Sequence, residues 1–142
     1  MNSTGRFLRA VFVSDSPDFI RAACERIDSE PGLTVVATAG SGFAAFIALD
    51  VLRPDLVLMD VGMPGIDGVE ATWKIKSRPK PPVVVLITPH ATAEFAQAAR
   101  DAGADAVISK RELVESAGCI LRALGPRPGC PADAGPPMRD DR

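Results

Sequence analysis

Apolar residues along this chain alternate between two periods. Short runs rich in Val, Leu and Ile occupy 8–13, 33–38, 55–60, 83–88 and 106–109, with few polar interruptions. A strand covered on both faces reads this way, because neither set of alternating side chains meets water. Between the runs, apolar positions recur at three- and four-residue spacing. They are Phe19, Ile20, Ala23, Cys24 and Ile27, then Phe43, Phe46 and Ile47, and later Leu113, Ala117, Ile120, Leu121 and Leu124. Such stripes read as the core faces of helices. After Gly65, Asp67 followed three residues on by Glu70 has the spacing of a capping box, which makes Asp67 a helix start rather than a catalytic acid. Strands alternating with helices specify an α/β chain, with five parallel strands doubly wound by five flanking helices.

The pattern stops after Leu124. From Gly125 onward the chain is rich in Pro and Gly with almost no large apolar residues, and it cannot bury enough surface to order itself. The expected organisation is one domain over 1–124 and a disordered tail over 125–142. A chain of 142 residues with 46% hydrophobic content suits one core and is short for two. Sixteen basic residues against 18 acidic ones leave a net charge of -2, and no basic block tracks a phosphate backbone, so direct nucleic-acid binding is not expected. Cys24, Cys119 and Cys130 are odd in number and include no C-x-x-C pair, which argues against zinc and for a reducing compartment. No signal-peptide core follows Met1 and no apolar stretch reaches the length of a membrane span. The expectation is a soluble cytoplasmic protein without membrane contacts.

Candidate chemistry begins at Asp60, a lone carboxylate that ends the third apolar run just before the turn residues Gly62, Pro64 and Gly65. Ligands of open α/β sheets sit beyond the carboxyl ends of the strands. Reading only those ends collects Ser14 and Asp15 after the first run, Asp60 on the third, Thr88 on the fourth and Lys110 after the fifth. A sheet ordered 2-1-3-4-5 brings them to one edge. Two carboxylates with a main-chain carbonyl form a hard-oxygen site suited to magnesium, and an ammonium and a hydroxyl beside it would neutralise and hydrogen-bond phosphoryl oxygens. Taken singly, Asp15 reads as a turn former, Thr88 as a hydroxyl satisfied by its neighbours and Lys110 as a helix-end cation. Their joint placement favours a site.

Over 7–124 the chain resembles the CheY-like receiver domains of two-component response regulators, and it looks most like the NarL/LuxR-type branch. The resemblance rests on D-x-x-M-P-G-x-D-G from Asp60 to Gly68, I-T-x-H from Ile87 to His90 and A-G-A-D-x-x-x-S-K from Ala102 to Lys110. It implies a flavodoxin-like fold in which Asp60 takes a phosphoryl group from a sensor histidine kinase, a phosphotransfer protein or a small phosphodonor. By the same resemblance Asp15, Asp60 and the main-chain carbonyl of Gly62 would hold Mg2+, while Thr88 and Lys110 would contact the phosphoryl oxygens. Such a chain is a phosphoacceptor rather than an enzyme, with at most magnesium-dependent self-phosphorylation and self-dephosphorylation. Its signal would pass to a downstream protein through the face built from 92–102, 106–109 and 111–124, and a homodimer is also compatible. The branch usually carries a helix-turn-helix DNA-binding domain, which is not expected here.

Four positions depart from the family pattern. Ser14 replaces the first acid of the usual pair, so magnesium is expected to bind more weakly. The switch aromatic three residues before the lysine is Val107, and the chain has no Tyr. Pro89, after the switch threonine, has no backbone N–H to offer a phosphoryl group. Arg111 replaces the proline after the lysine, where a cis peptide would now cost about 3 kcal/mol. These departures keep open a second reading, a pseudo-receiver that binds proteins without being phosphorylated. A magnesium hydrolase using Asp60 as nucleophile lacks a second acid/base carboxylate and a substrate cap.

Overall fold

All five residues of the strand that ends on Asp60 are buried, because that strand is central. The computed structural model describes residues 8–63, 67–90 and 92–124. In chain order its elements are β1 (Leu8–Val13), α1 (Pro17–Asp28), β2 (Leu33–Ala39), α2 (Gly42–Leu52), β3 (Leu56–Asp60), α3 (Gly68–Lys76), β4 (Val83–Thr88), α4 (Ala93–Asp101), β5 (Ala106–Ser109), α5 (Lys110–Glu115) and α6 (Gly118–Leu124). The strands are parallel in the order β2-β1-β3-β4-β5, the flavodoxin-like arrangement expected from the sequence. The tail expected at 125–142 lies outside the described residues.

Alternation along each central strand divides the core in two. Ala10, Phe12, Leu56, Leu58, Val85, Ile87 and Ile108 pack against Ala23 and Ile27 of α1 and against Leu113, Ala117 and Ile120 around α5 and α6. Val11, Val13, Val57, Met59, Val84 and Leu86 face the other way, onto Ala45 and Leu49 of α2, Ala71 and Ile75 of α3 and Ala99 of α4. Each fully buried aliphatic side chain contributes about 1.5–3 kcal/mol. The helix starts are fixed by oxygen acceptors, which satisfy amide donors that lack an intrahelical partner. Ser16, Ser41, Asp67, Thr92 and Ser109 serve α1 to α5 in turn, and at α5 Ser109 and Glu112 complete a reciprocal capping box. Asp67 accepts from the amides of Val69 and Glu70, as a helix start should, while the Glu70 carboxylate turns to Lys74 at 3.6 Å.

The core-face reading of α2 holds at Phe46, which packs against the core, and is corrected by the structure at Phe43 and Ile47. Phe43 is 78% exposed and Ile47 47% exposed, whereas Ala45 and Leu49 point into the core. This helix is apolar almost all round, so its spacing fits several faces equally. The fifth helical segment is also divided. Ser116 is extended, at φ -166 and ψ 119, and its hydroxyl accepts the amide of Gly118 at 3.2 Å, restarting the chain as α6. The stripe expected across that segment survives the break, with Leu113, Ala117 and Ile120 all buried.

Two further features follow from packing. Burial first, and Glu112 second, push the Cys119 thiol up to about 11, and burial likewise raises that of Cys24. Both remain protonated thiols with little nucleophilic character near neutral pH. At Gly68 an added Cβ would lie 2.6 Å from Val61 Cγ1. Gly68→Ala is therefore expected to destabilise the fold by about 1–3 kcal/mol through overpacking. Urea unfolding measures this, and an unchanged midpoint would mean that Val61 yields freely.

Candidate functional site

The loops after β1, β3, β4 and β5 open on the same edge of the sheet, since all strands run parallel. The β1–β3 register pairs Val13 with Met59, so the next residues, Ser14 and Asp60, fall side by side. Ser14 is fully buried and Asp60 is 1% exposed. The Ser14 hydroxyl donates to Asp60 Oδ2 at 2.9 Å and accepts the Ser16 amide at 3.2 Å. Asp60 Oδ1 accepts the Gly62 amide at 2.8 Å. Lys110, the first residue of α5, places its ammonium 3.4 Å from Asp60 Oδ2. A buried carboxylate must recover its lost hydration from partners. Here a hydroxyl, an amide and an ammonium supply them.

On the sequence alone Ser14 reads only as a missing charge. In the structure it is a direct hydrogen-bond donor to Asp60, a contact that depends on strand register. Phe19 likewise reads from its spacing only as core. Its ring lies under the Lys110 ammonium, 4.8 Å from Nζ to centroid. The sequence signal for it was slight, an apolar residue in the first turn of the helix that follows Asp15.

Asp15 is exposed on the loop between β1 and α1. Thr88 is buried at the end of β4, but its hydroxyl donates to the His90 carbonyl and accepts the His90 amide, both at 3.3 Å, rather than bonding Asp60. The first N–H of the loop beyond Pro89, that of His90, is thus engaged by the Thr88 hydroxyl. Val107 is half-buried and packs with the α2–α4 side of the core. All described peptide bonds are trans, including Lys110–Arg111.

The donor set suits a small hard cation in kind. Among the described residues no three His, Cys, Asp or Glu side chains gather to hold a metal, so a cation at this edge would rely on Asp15, Asp60, main-chain oxygen and water. Magnesium keeps several waters and needs few protein carboxylates. Gly62 leaves the space open: a Cβ there would lie 3.3 Å from Asp60 Oδ1 and 3.8 Å from Lys110 Nζ.

A family model described as "response regulator receiver domain" matches residues 11–116. The chain is 41% identical over 104 residues to protein-glutamate methylesterase/protein-glutamine glutaminase 4 of Myxococcus xanthus, covering 72% of this chain and 30% of that protein. Among the other curated relatives, it is 37% identical to the transcriptional regulatory protein PdtaR of Mycobacterium tuberculosis, covering 49% of it. The chain thus spans about half or less of the length of these relatives. Of solved structures, it matches the signal receiver domain of the response regulator NarL from M. tuberculosis at TM-score 0.72 and 27% identity, covering 85% of this chain and 99% of that one. It also matches, at TM-score 0.69 and 27% identity, a structure of the P1 domain of CheA3 in complex with CheY6 from R. sphaeroides, covering 84% of this chain and 95% of that one.

Proposed function

This chain belongs to the response regulator receiver domain family, and we propose that it accepts a phosphoryl group on Asp60 and passes the signal on by protein contacts. One observation carries the reading. A carboxylate only 1% exposed stands at the end of the central strand, with one oxygen on a main-chain amide and the other between an ammonium and a hydroxyl. The proposed donor is the phosphohistidine of a sensor kinase or phosphotransfer protein. The CheA3–CheY6 complex, whose structure matches this chain, supports that partner class.

In the proposed transfer an Asp60 oxygen attacks phosphorus, an O–P bond forms, and the donor's P–N bond breaks with its electron pair leaving on nitrogen. Asp15, Asp60 and the Gly62 carbonyl would hold magnesium, which when bound supplies positive charge against the phosphoryl oxygens. Lys110 would transfer its ion pair from Asp60 to the phosphoryl group. Thr88 would exchange its His90 contacts for a phosphoryl oxygen, which requires a new rotamer. The proposed receiver unit is 1–124, with 125–142 as a flanking tail, working in the cytoplasm. No described helix is long and apolar enough to cross a membrane.

The test is intact mass after incubation with magnesium and acetyl phosphate. A single phosphoryl addition that survives acid and is lost in alkali supports the reading. Absence of any addition, from the small donor and from phosphorylated kinase alike, would leave the pseudo-receiver.

A smaller effect is expected at the output face of α4, β5 and α5–α6. Val107 has no ring to move between exposed and buried positions, and Pro89 fixes φ where the loop motion would begin. A phosphoryl group shifts partner binding only through differential contacts. Partner affinity, measured with and without a beryllofluoride adduct standing in for the phosphoryl group, is expected to change less than about tenfold, or about 1.4 kcal/mol. A larger change would reveal a switch that does not use position 107.

A further inference from the structure

Lys110 occupies an awkward position for a cation. It is the first residue of α5, where the peptide dipoles present their positive end. Its ammonium is 3.4 Å from Asp60 Oδ2, beyond the usual charge-assisted hydrogen-bond length of about 2.7–2.9 Å. Something else shares it. The face of Phe19 lies 4.8 Å away, well within the range in which a ring quadrupole attracts a cation.

Phe19 is itself held firmly. Its amide donates to the Ser16 hydroxyl at 3.3 Å, which fixes the first turn of α1. Its ring packs on the fully buried Phe12, with centroids 5.6 Å apart and planes tilted by 55°. A line of contacts thus runs from the core through Phe12 and Phe19 to Lys110 and on to Asp60. The Lys110 side chain is 32% exposed, so without the ring it could swing outward to water.

We propose that Phe19 is a positioning residue for Lys110: its ring face holds the ammonium beside Asp60, and so sets how readily Lys110 meets an incoming phosphoryl group. The proposal rests on the reading of Asp60 as phosphoacceptor. Phe19 acts through Lys110, whose ammonium its ring contacts.

The test replaces Phe19 with 4-fluoro-, 3,5-difluoro- and 3,4,5-trifluorophenylalanine by site-specific incorporation. Fluorine withdraws π density while keeping the ring nearly the same shape, so packing on Phe12 is retained. The rate of phosphorylation by acetyl phosphate with magnesium is expected to fall stepwise, by about threefold to tenfold across the series, as a cation–π contact predicts. The urea midpoint should also fall stepwise, and this dependence should vanish in a Lys110→Met background. A flat rate series in a wild type that is phosphorylated overturns the proposal. So does a midpoint series that persists in Lys110→Met, because the ring would then act by packing alone. If the wild type takes no phosphoryl group, the parent reading fails instead. The midpoint series then decides whether the ring holds Lys110, and its flatness in both backgrounds overturns that as well.

Discussion

Asp60→Asn is expected to abolish phosphoryl uptake, lowering its rate by at least about a thousandfold, or about 4 kcal/mol of barrier. The amide nitrogen and neutral carbonyl that replace the carboxylate are poor nucleophiles toward phosphorus, and the ion pair with Lys110 is lost. The surroundings should nevertheless accept the change. The amide oxygen can still take the Gly62 N–H that now reaches Oδ1 at 2.8 Å, and the amide NH2 can donate to the Ser14 hydroxyl in place of receiving from it. Loss of phosphorylation should therefore come with a cooperative urea transition like that of the wild type, and that pairing separates lost chemistry from lost fold. If the mass increase persists in Asp60→Asn, another carboxylate carries the phosphoryl group and the site is misassigned. Asp15 would be the first alternative, being exposed on the same edge.

Asp60 was legible in the sequence because a strand buried on both faces leaves no polar residue until its end, so the first carboxylate marks the exit of the sheet. The same physics made the strands readable to within a residue or so at their ends. Helix α2 defeated the reading at Phe43 and Ile47 because Phe43, Ala44, Ala45, Phe46 and Ile47 are all apolar. Periodicity cannot choose a face when every face is apolar, and the choice fell to tertiary packing, which buries Ala45 and Leu49. The break at Ser116 was marked only by Gly118 two residues on, a single glycine that a continuous helix also tolerates. A serine that caps the next turn with its own hydroxyl is an ordinary residue until its φ is known. Ser14, Thr88 and Phe19 illustrate a third limit. Their types and strand-end positions could be read. That Ser14 donates to Asp60, that Thr88 faces His90, and that Phe19 lies under Lys110 depend on register and rotamer, which spacing does not encode.

Ser14→Asp is expected to make folding stability depend on magnesium. Without metal, the variant removes the 2.9 Å hydrogen bond from the Ser14 hydroxyl to Asp60 and sets a second carboxylate at a fully buried position beside it. Two like charges about 4 Å apart repel by about 1 kcal/mol in water and about 4 kcal/mol at the effective dielectric near a protein surface. The metal-free variant should therefore unfold at lower urea than the wild type, by an amount within that range. With magnesium the added charge becomes an asset. Affinity should rise roughly tenfold, about 1.4 kcal/mol, and saturating metal at about a hundred times its Kd should return about 2.7 kcal/mol of stability. The wild type, with Ser14 neutral, should show a weaker response at the same magnesium concentration. Asp15→Asn should show almost none, since it removes the exposed carboxylate on which a cation at this edge would depend. Calorimetric titration gives the affinities, and urea unfolding with and without magnesium gives the linkage; Trp73, 60% exposed on α3, is a poor reporter of metal. If Ser14→Asp matches the wild type in both metal-free stability and magnesium affinity, then Ser14 does not occupy the electrostatic position that its contact with Asp60 gives it.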